Sequence, residues 1–271
     1  PSVDLLQYYD IDVWNADGSA MLLVSQRLGG SSYWLMDADG ERARVFRAPG
    51  DASLLSPFWS VKDRNVIYGV RRDDEHTCLI ERHLDTGEDK VLVTADRRDL
   101  SFYPPHPSEE YFLLARRSQK DPEDNVYYLA SRDGTLERLP LDGWIHRLRF
   151  TKRDDLMIFF NRDDPRTQHV VLPDGSQLTD LPASGGHPDW TPDGSELTFY
   201  EGGKIWAVKP GGEPRVVMNL SAGGHGGSCL DGEWFVSDVP RGGPYANSIL
   251  RLRLDGSEIC HRLSLHGSAF M

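Results

Sequence analysis

Nine histidines lie among the 271 residues, and three of them occupy places where side chains from distant segments could work together. His146, His187 and His225 each stand at the head of an apolar run, in "IHRLRF", "HPDWTPDGSELTFY" and "HGGSCLDGEWFVSD". His225 follows His187 by 38 residues, the length of one repeat unit. Imidazole is the usual protein metal ligand and the side chain that takes or gives a proton near neutral pH. Two or three imidazoles with an amide or carboxylate oxygen suit manganese, zinc or a similar borderline ion. The chain contains no HxH or HxxxH spacing, so a shared site needs a fold that brings separate segments together. His106 and His266 stand in comparable surroundings, Cys229 is a ligand or plain core, and His261 belongs to an outer strand. Taken alone, each histidine reads most simply as packing between repeats or bonding a loop carbonyl. Recurrence at the start of adjacent units points to one site.

Other chemistries are narrower. The pairs Arg71-Arg72, Arg97-Arg98 and Arg116-Arg117 offer guanidinium forks that grip carboxylates two-pronged. Asp193 and Asp231 sit in Asp-Gly turns, where the aspartate supplies the bend, and carry no catalytic weight. There is no GxSxG and no P-loop; "RLGGSS" and "SAGGHGGS" are too irregular to cradle phosphate. With 30 basic against 42 acidic residues the net charge is −12, which argues against a nucleic-acid partner but leaves room for local capture of an acidic sugar. Three cysteines without CxxC spacing form no disulfide framework, so a reducing, cytoplasmic home is expected, or the periplasm if an export signal has been removed. The longest apolar runs, such as "LMIFF", fall far short of the roughly 20 residues of a membrane helix, so no membrane partner is expected.

The elements that must position these residues are strands. "IDVWNADGSAMLLVSQ" is echoed by "LSPFWSVKDRNVIYGV", "SFYPPHPSEEYFLLAR", "IHRLRFTKRDDLMIFF" and the two stretches headed by His187 and His225. After each comes a third alternating run and another turn, which makes a four-stranded meander per unit. Six units at a period of roughly 40 to 45 residues predict an all-β propeller of four-stranded antiparallel blades, six visible, or seven if a further blade is missing. Residues 1–271 read as one propeller domain. The tryptophans that recur in the units are blade-packing residues, apart from one or two that could stack on sugar rings at a channel mouth.

The segments "LQYYDIDVWNADGSAMLLVSQ", "GWIHRLRF", "GGHPDWTPDGSELTFY", "GGHGGSCLDGEWFVSD" and "CHRLSLHGSAF", in that order, resemble the oligogalacturonate lyases, propeller enzymes related to the TolB-type propellers. The resemblance covers nearly the whole chain. It implies β-elimination on short uronate oligomers with a bound manganese-type divalent ion. It also implies that His187 is a metal ligand and that His146 acts at the chemistry with an arginine of the preceding blade, Arg116 or Arg117. His225, with Arg149, is read as substrate-binding. The family's remaining metal ligands, a glutamine and a His-x-His pair, lie on a further blade after the "LHGS"-like segment, whereas this chain ends at Met271. The expectation is a longer protein, or a relative without the metal. The alternative to a lyase is a non-catalytic TolB-like propeller that binds a protein, a peptide or an acidic sugar.

Overall fold

The structure is a computed structural model. It describes residues 4–265 except 7–12, 26–27, 52, 97–98, 119, 153–154, 164–165, 177–178, 182–184, 222, 230–231, 240–242 and 258. His266, Asp231 and the pair Arg97-Arg98 lie outside the described residues.

Twenty-four strands form six separate four-stranded antiparallel sheets, each a simple meander, as expected for a six-bladed propeller. The first blade holds β1 (Asp4–Leu6), β2 (Ala20–Ser25), β3 (Ser32–Asp37) and β4 (Ala43–Arg47), and the second β5 (Leu55–Trp59), β6 (Val66–Arg72), β7 (Thr77–His83) and β8 (Asp89–Ala95). The third holds β9 (Ser101–Phe102), β10 (Tyr111–Arg116), β11 (Val126–Ser131) and β12 (Leu136–Arg138). The fourth comprises β13 (Arg147–Phe150), β14 (Ile158–Asp163), β15 (Arg166–Val171) and β16 (Thr179–Leu181). The fifth runs β17 (Gly186–Trp190), β18 (Leu197–Glu201), β19 (Lys204–Val208) and β20 (Arg215–Asn219), and the sixth β21 (Gly226–Ser228), β22 (Trp234–Val239), β23 (Ser248–Arg253) and β24 (Cys260–Leu265). A single 3-10 turn at Pro122–Asp124 is the helical element among the described residues, and no helix is long and apolar enough to cross a membrane. Blades one to three form one compact unit, residues 1–144, and blades four to six a second, residues 145–271.

Turn chemistry sets the meander. In the turn before β2, Gly18 takes φ +72° and Asp17 accepts the Ser19 main-chain N–H at 3.0 Å. Asp193 plays the same part before β18, accepting from the Thr191 hydroxyl at 2.6 Å and the Ser195 N–H at 3.0 Å. It is a turn residue, as its Asp-Gly context indicates.

Within each unit, strands present side chains to the neighbouring blade, so the apolar core lies between the successive sheets of that unit. In the first unit Phe58, Tyr68, Phe102 and Phe112 interlock, with Phe58 and Phe102 edge-to-face at 5.1 Å. Phe159, Trp190, Leu197 and Phe199 do the same between the fourth and fifth blades, and Tyr200, Phe235, Leu250 and Leu252 between the fifth and sixth. Trp59 and Trp190 are core residues, 4% and 1% exposed, which matches the blade-packing role.

A candidate site where inner strands begin

The first strand of the fifth blade reads "GHPDW". Gly186 pairs with Tyr200, and the ladder resumes only at Asp189 opposite Thr198. Pro188 has no N–H to give, so the two intervening residues swell into a bulge that places His187 at φ +55°. "LSPFW" in β5 does likewise, with Leu55 opposite Val70, Phe58 opposite Tyr68 and Ser56 at φ +48°. The bulge therefore belongs to the x-x-Pro-x-Trp pattern, and in the fifth blade it carries an imidazole. A β-bulge commonly re-aims a side chain near a functional site.

His225 stands one residue ahead of β21, in a glycine run that close packing requires. A Cβ on Gly226 would fall 2.3 Å from the Val236 carbonyl oxygen, and one on Gly224 2.0 Å from that of Asp238. Asp238, on β22, holds His225 at three points. Its carboxylate accepts the His225 main-chain N–H and lies 3.4 Å from ring Nδ1, while its own N–H donates to the His225 carbonyl at 2.8 Å. The His187 and His225 rings meet edge-to-face with centroids 4.3 Å apart. Both are half-buried. Tyr200 stands 6.3 Å from His187, and its hydroxyl bonds the Ser237 hydroxyl at 2.7 Å.

Two residues beyond His187, the buried carboxylate of Asp189 takes Arg149 of β13 at 3.4 Å and Lys152 at 3.6 Å. Arg149 also donates to the Pro188 carbonyl, and its guanidinium lies 5.4 Å from the centre of the Phe159 ring. Arg149 is 9% exposed, so it braces the first strands of two blades rather than reaching into solvent.

His146 is exposed and precedes β13. His146 stands one residue before β13, His187 inside the bulge of β17 and His225 one residue before β21. The hydrogen bonds closing the first hairpin of blades four to six start from the N–H groups of Thr151, Thr191 and Cys229. Four residues before each stand Arg147, His187 and His225. Arg147, opposite Asn161 in a regular ladder, matches His225 by this count, whereas His187 lies inside the bulge, where the extra residue breaks the count.

Arg116 and Arg117 belong to the first unit and differ in their surroundings. Arg116 ends β10 in ion pairs with Asp99 and, at 2.8 Å, Asp124. Arg117 is exposed, its guanidinium 5.2 Å from the Tyr103 ring centre and 5.6 Å from that of Trp144. Burial pushes the Tyr103 phenol up to about 12, so it stays protonated at neutral pH. His106 is buried in a loop, its Nδ1 2.7 Å from the Ser108 hydroxyl, and His261 packs on Trp234 at 5.3 Å on an outer strand. The three cysteines are unbridged. Asp189 and Asp238 are the participants that sequence patterns did not flag, although both are acids outside Asp-Gly turns and Asp189 follows His187 by two positions.

No family model matches the chain, and no curated protein matches it in sequence. Solved structures do match. An oligogalacturonate lyase in complex with manganese is similar with a TM-score of 0.78 at 19% identity, covering 100% of this chain and 80% of the lyase. An oligogalacturonate lyase from Vibrio parahaemolyticus gives 0.76 at 20% identity, covering 99% and 80%. The fold is that of the oligogalacturonate lyases. TolB from Acinetobacter baumannii is similar at a lower level, with a TM-score of 0.56 at 18% identity over 90% of this chain and 60% of TolB.

The manganese of the lyase complex raises the question of fit here. Among the described residues no group of three or more His, Cys, Asp or Glu could hold a metal ion. His187 and His225 supply two imidazoles, and the described residues do not complete a ligand set around them.

Proposed function

We propose that this propeller is a lyase that cleaves oligogalacturonate, or a related uronate oligosaccharide, by β-elimination. The observation that carries the reading is the meeting of His187 and His225, brought to 4.3 Å from the first strands of adjacent blades on a fold shared with oligogalacturonate lyases. The C5 proton of a uronate is weakly acidic until the neighbouring carboxylate is neutralised. A positioned base then removes it, O4 leaves, and a C4–C5 double bond remains.

Within this chain His225 takes the part of the base. Asp238 holds its main-chain N–H and its Nδ1, which orients the ring so that Nε2 is the nitrogen that receives the proton. His187, carried by the bulge, lies beside it, and its imidazolium form would set positive charge against the substrate carboxylate. Arg149 and Lys152 hold Asp189 and so brace the strand that carries His187. The lyase resemblance implies a role at the chemistry for His146, which His146→Ala tests in the same absorbance assay.

The test is ultraviolet absorbance of the purified protein mixed with oligogalacturonides, with and without added manganese. The expected result is a growing signal from the conjugated double bond, reduced at least about 100-fold in His225→Ala, in keeping with the usual worth of a general base. A rise that survives both His225→Ala and His187→Ala refutes the assignment of the base. A second reading, a TolB-like propeller that holds an acidic sugar without cleaving it, draws on the two-imidazole set, which the described residues do not complete. It predicts saturable binding of the same oligomers and no new absorbance.

A further inference from the structure

The first unit carries a cavity of about 640 Å³ between its first two blades. That size falls in the range of small-ligand sites. Leu35 and Leu84 give it apolar walls, and Arg42, Arg44, Asp37 and Asp85 bring charge. The walls are fixed by their own bonds. The Trp59 indole N–H donates to the Val13 carbonyl at 2.9 Å, and the Asn15 side chain binds the Ser19 hydroxyl and the Ala20 N–H, each at 3.0 Å. Arg64, also in the lining, is tied to Asp17 at 3.1 Å.

Arg42 and Arg44 differ from Arg64. Both are exposed, and neither forms an ion pair with a described residue. Arg44 lies in β4 and Arg42 one residue ahead of it, about 7 Å away along extended chain, and Arg44 faces the same way as its buried ladder partner Leu35. In a chain with a net charge of −12, two arginines lining one cavity mark a place for a carboxylate. The aspartates narrow the choice further. Asp37 and Asp85 would repel a purely anionic peptide but accept hydrogen bonds from hydroxyl groups, and the Asn65 amide already holds Asp85 at 2.8 Å.

We propose that this cavity binds a hydroxylated carboxylate of the uronic-acid class, with Arg42 and Arg44 taking the carboxylate and Asp37 and Asp85 the hydroxyls. It is a binding site apart from the histidine pair and does not depend on lyase activity. The experiment is calorimetric titration of trigalacturonate into a His187→Ala/His225→Ala variant, which removes the imidazole pair. The expected result is saturable binding that weakens at least tenfold when Arg42→Ala and Arg44→Ala are added, with a neutral galactose trimer failing to bind. In the unaltered protein, the NMR signal of the Trp59 indole N–H should shift with trigalacturonate. Absence of saturable binding, equal binding of the neutral trimer, an unmoved Trp59 signal, or undiminished affinity without the two arginines would each overturn the proposal.

Discussion

Glu109 is the perturbation whose size follows most directly from the structure. It sits at φ +56° in the loop before β10, 6% exposed. One carboxylate oxygen accepts from the Ser60 hydroxyl at 2.7 Å and from the N–H groups of Val61 and Lys62 at 2.6 and 3.2 Å; the other accepts from the Tyr68 hydroxyl at 2.8 Å. Arg132 donates to the same Tyr68 oxygen at 3.1 Å and pairs with Glu81. A single carboxylate thus ties the third blade to the first turn and second strand of the second. Glu109→Ala strips an acceptor from four donors, two of them hydroxyls on residues 1% exposed. Hydrogen bonds to charged groups contribute about 1.5–3 kcal/mol each, and partial rescue by water at Val61 and Lys62 lowers the sum, so a loss of about 3–5 kcal/mol is expected. Glu109→Gln keeps one oxygen for Ser60 and the two N–H groups but sets an amide donor against Tyr68, so the loss should be about 1–2 kcal/mol. Urea unfolding with a constant m-value reads both. A loss under about 1 kcal/mol for the alanine variant, or a glutamine variant as damaged as the alanine one, would refute the hub described.

Three further outcomes are expected. Gly226→Ala should prevent folding or lower stability by more than about 3 kcal/mol, because its Cβ meets a main-chain oxygen at 2.3 Å, whereas Gly227→Ala, whose Cβ meets only the Asp189 carboxylate at 3.3 Å, should be far milder; comparison of urea midpoints decides. Asp189→Ala should cost about 3–5 kcal/mol by leaving Arg149 buried without its carboxylate, and Arg149→Met on that background should recover part of the loss in the same assay. Hydrogen bonds from Ser19 hold the Asp17 carboxyl down from 3.8 to about 2, and turn bonds likewise lower Asp133, Asp174, Asp193 and Asp255. A carboxyl depressed in the folded state adds stability above its unfolded value that is lost as pH falls through the folded one. The melting temperature should therefore drop between about pH 4 and pH 2, and the drop should be shallower in Asp17→Ala; an unchanged profile would exclude these turns as its source.

The blades were legible because each hairpin carries its own turn chemistry, and Asp-Gly between alternating runs needs no distant information. His187 and His225 were legible for a related reason: the glycines before them mark where the first strand begins. His146 lacks that mark. Its strand has neither the x-Pro bulge nor a glycine run, and a lone histidine does not fix register where a one-residue shift reverses the face. Arg149 and Arg116 show a different limit. Both looked suited to gripping a substrate carboxylate, yet their partners come from Asp189, 40 positions away in the next blade, and from the loops holding Asp99 and Asp124. A guanidinium that meets a protein carboxylate first is part of the scaffold, and local sequence does not say which acid it will meet. The same logic separates Arg42 and Arg44 from the rest. They are arginines whose described surroundings supply a cavity instead of an ion pair, and that distinction appears only once the second blade has folded beside the first.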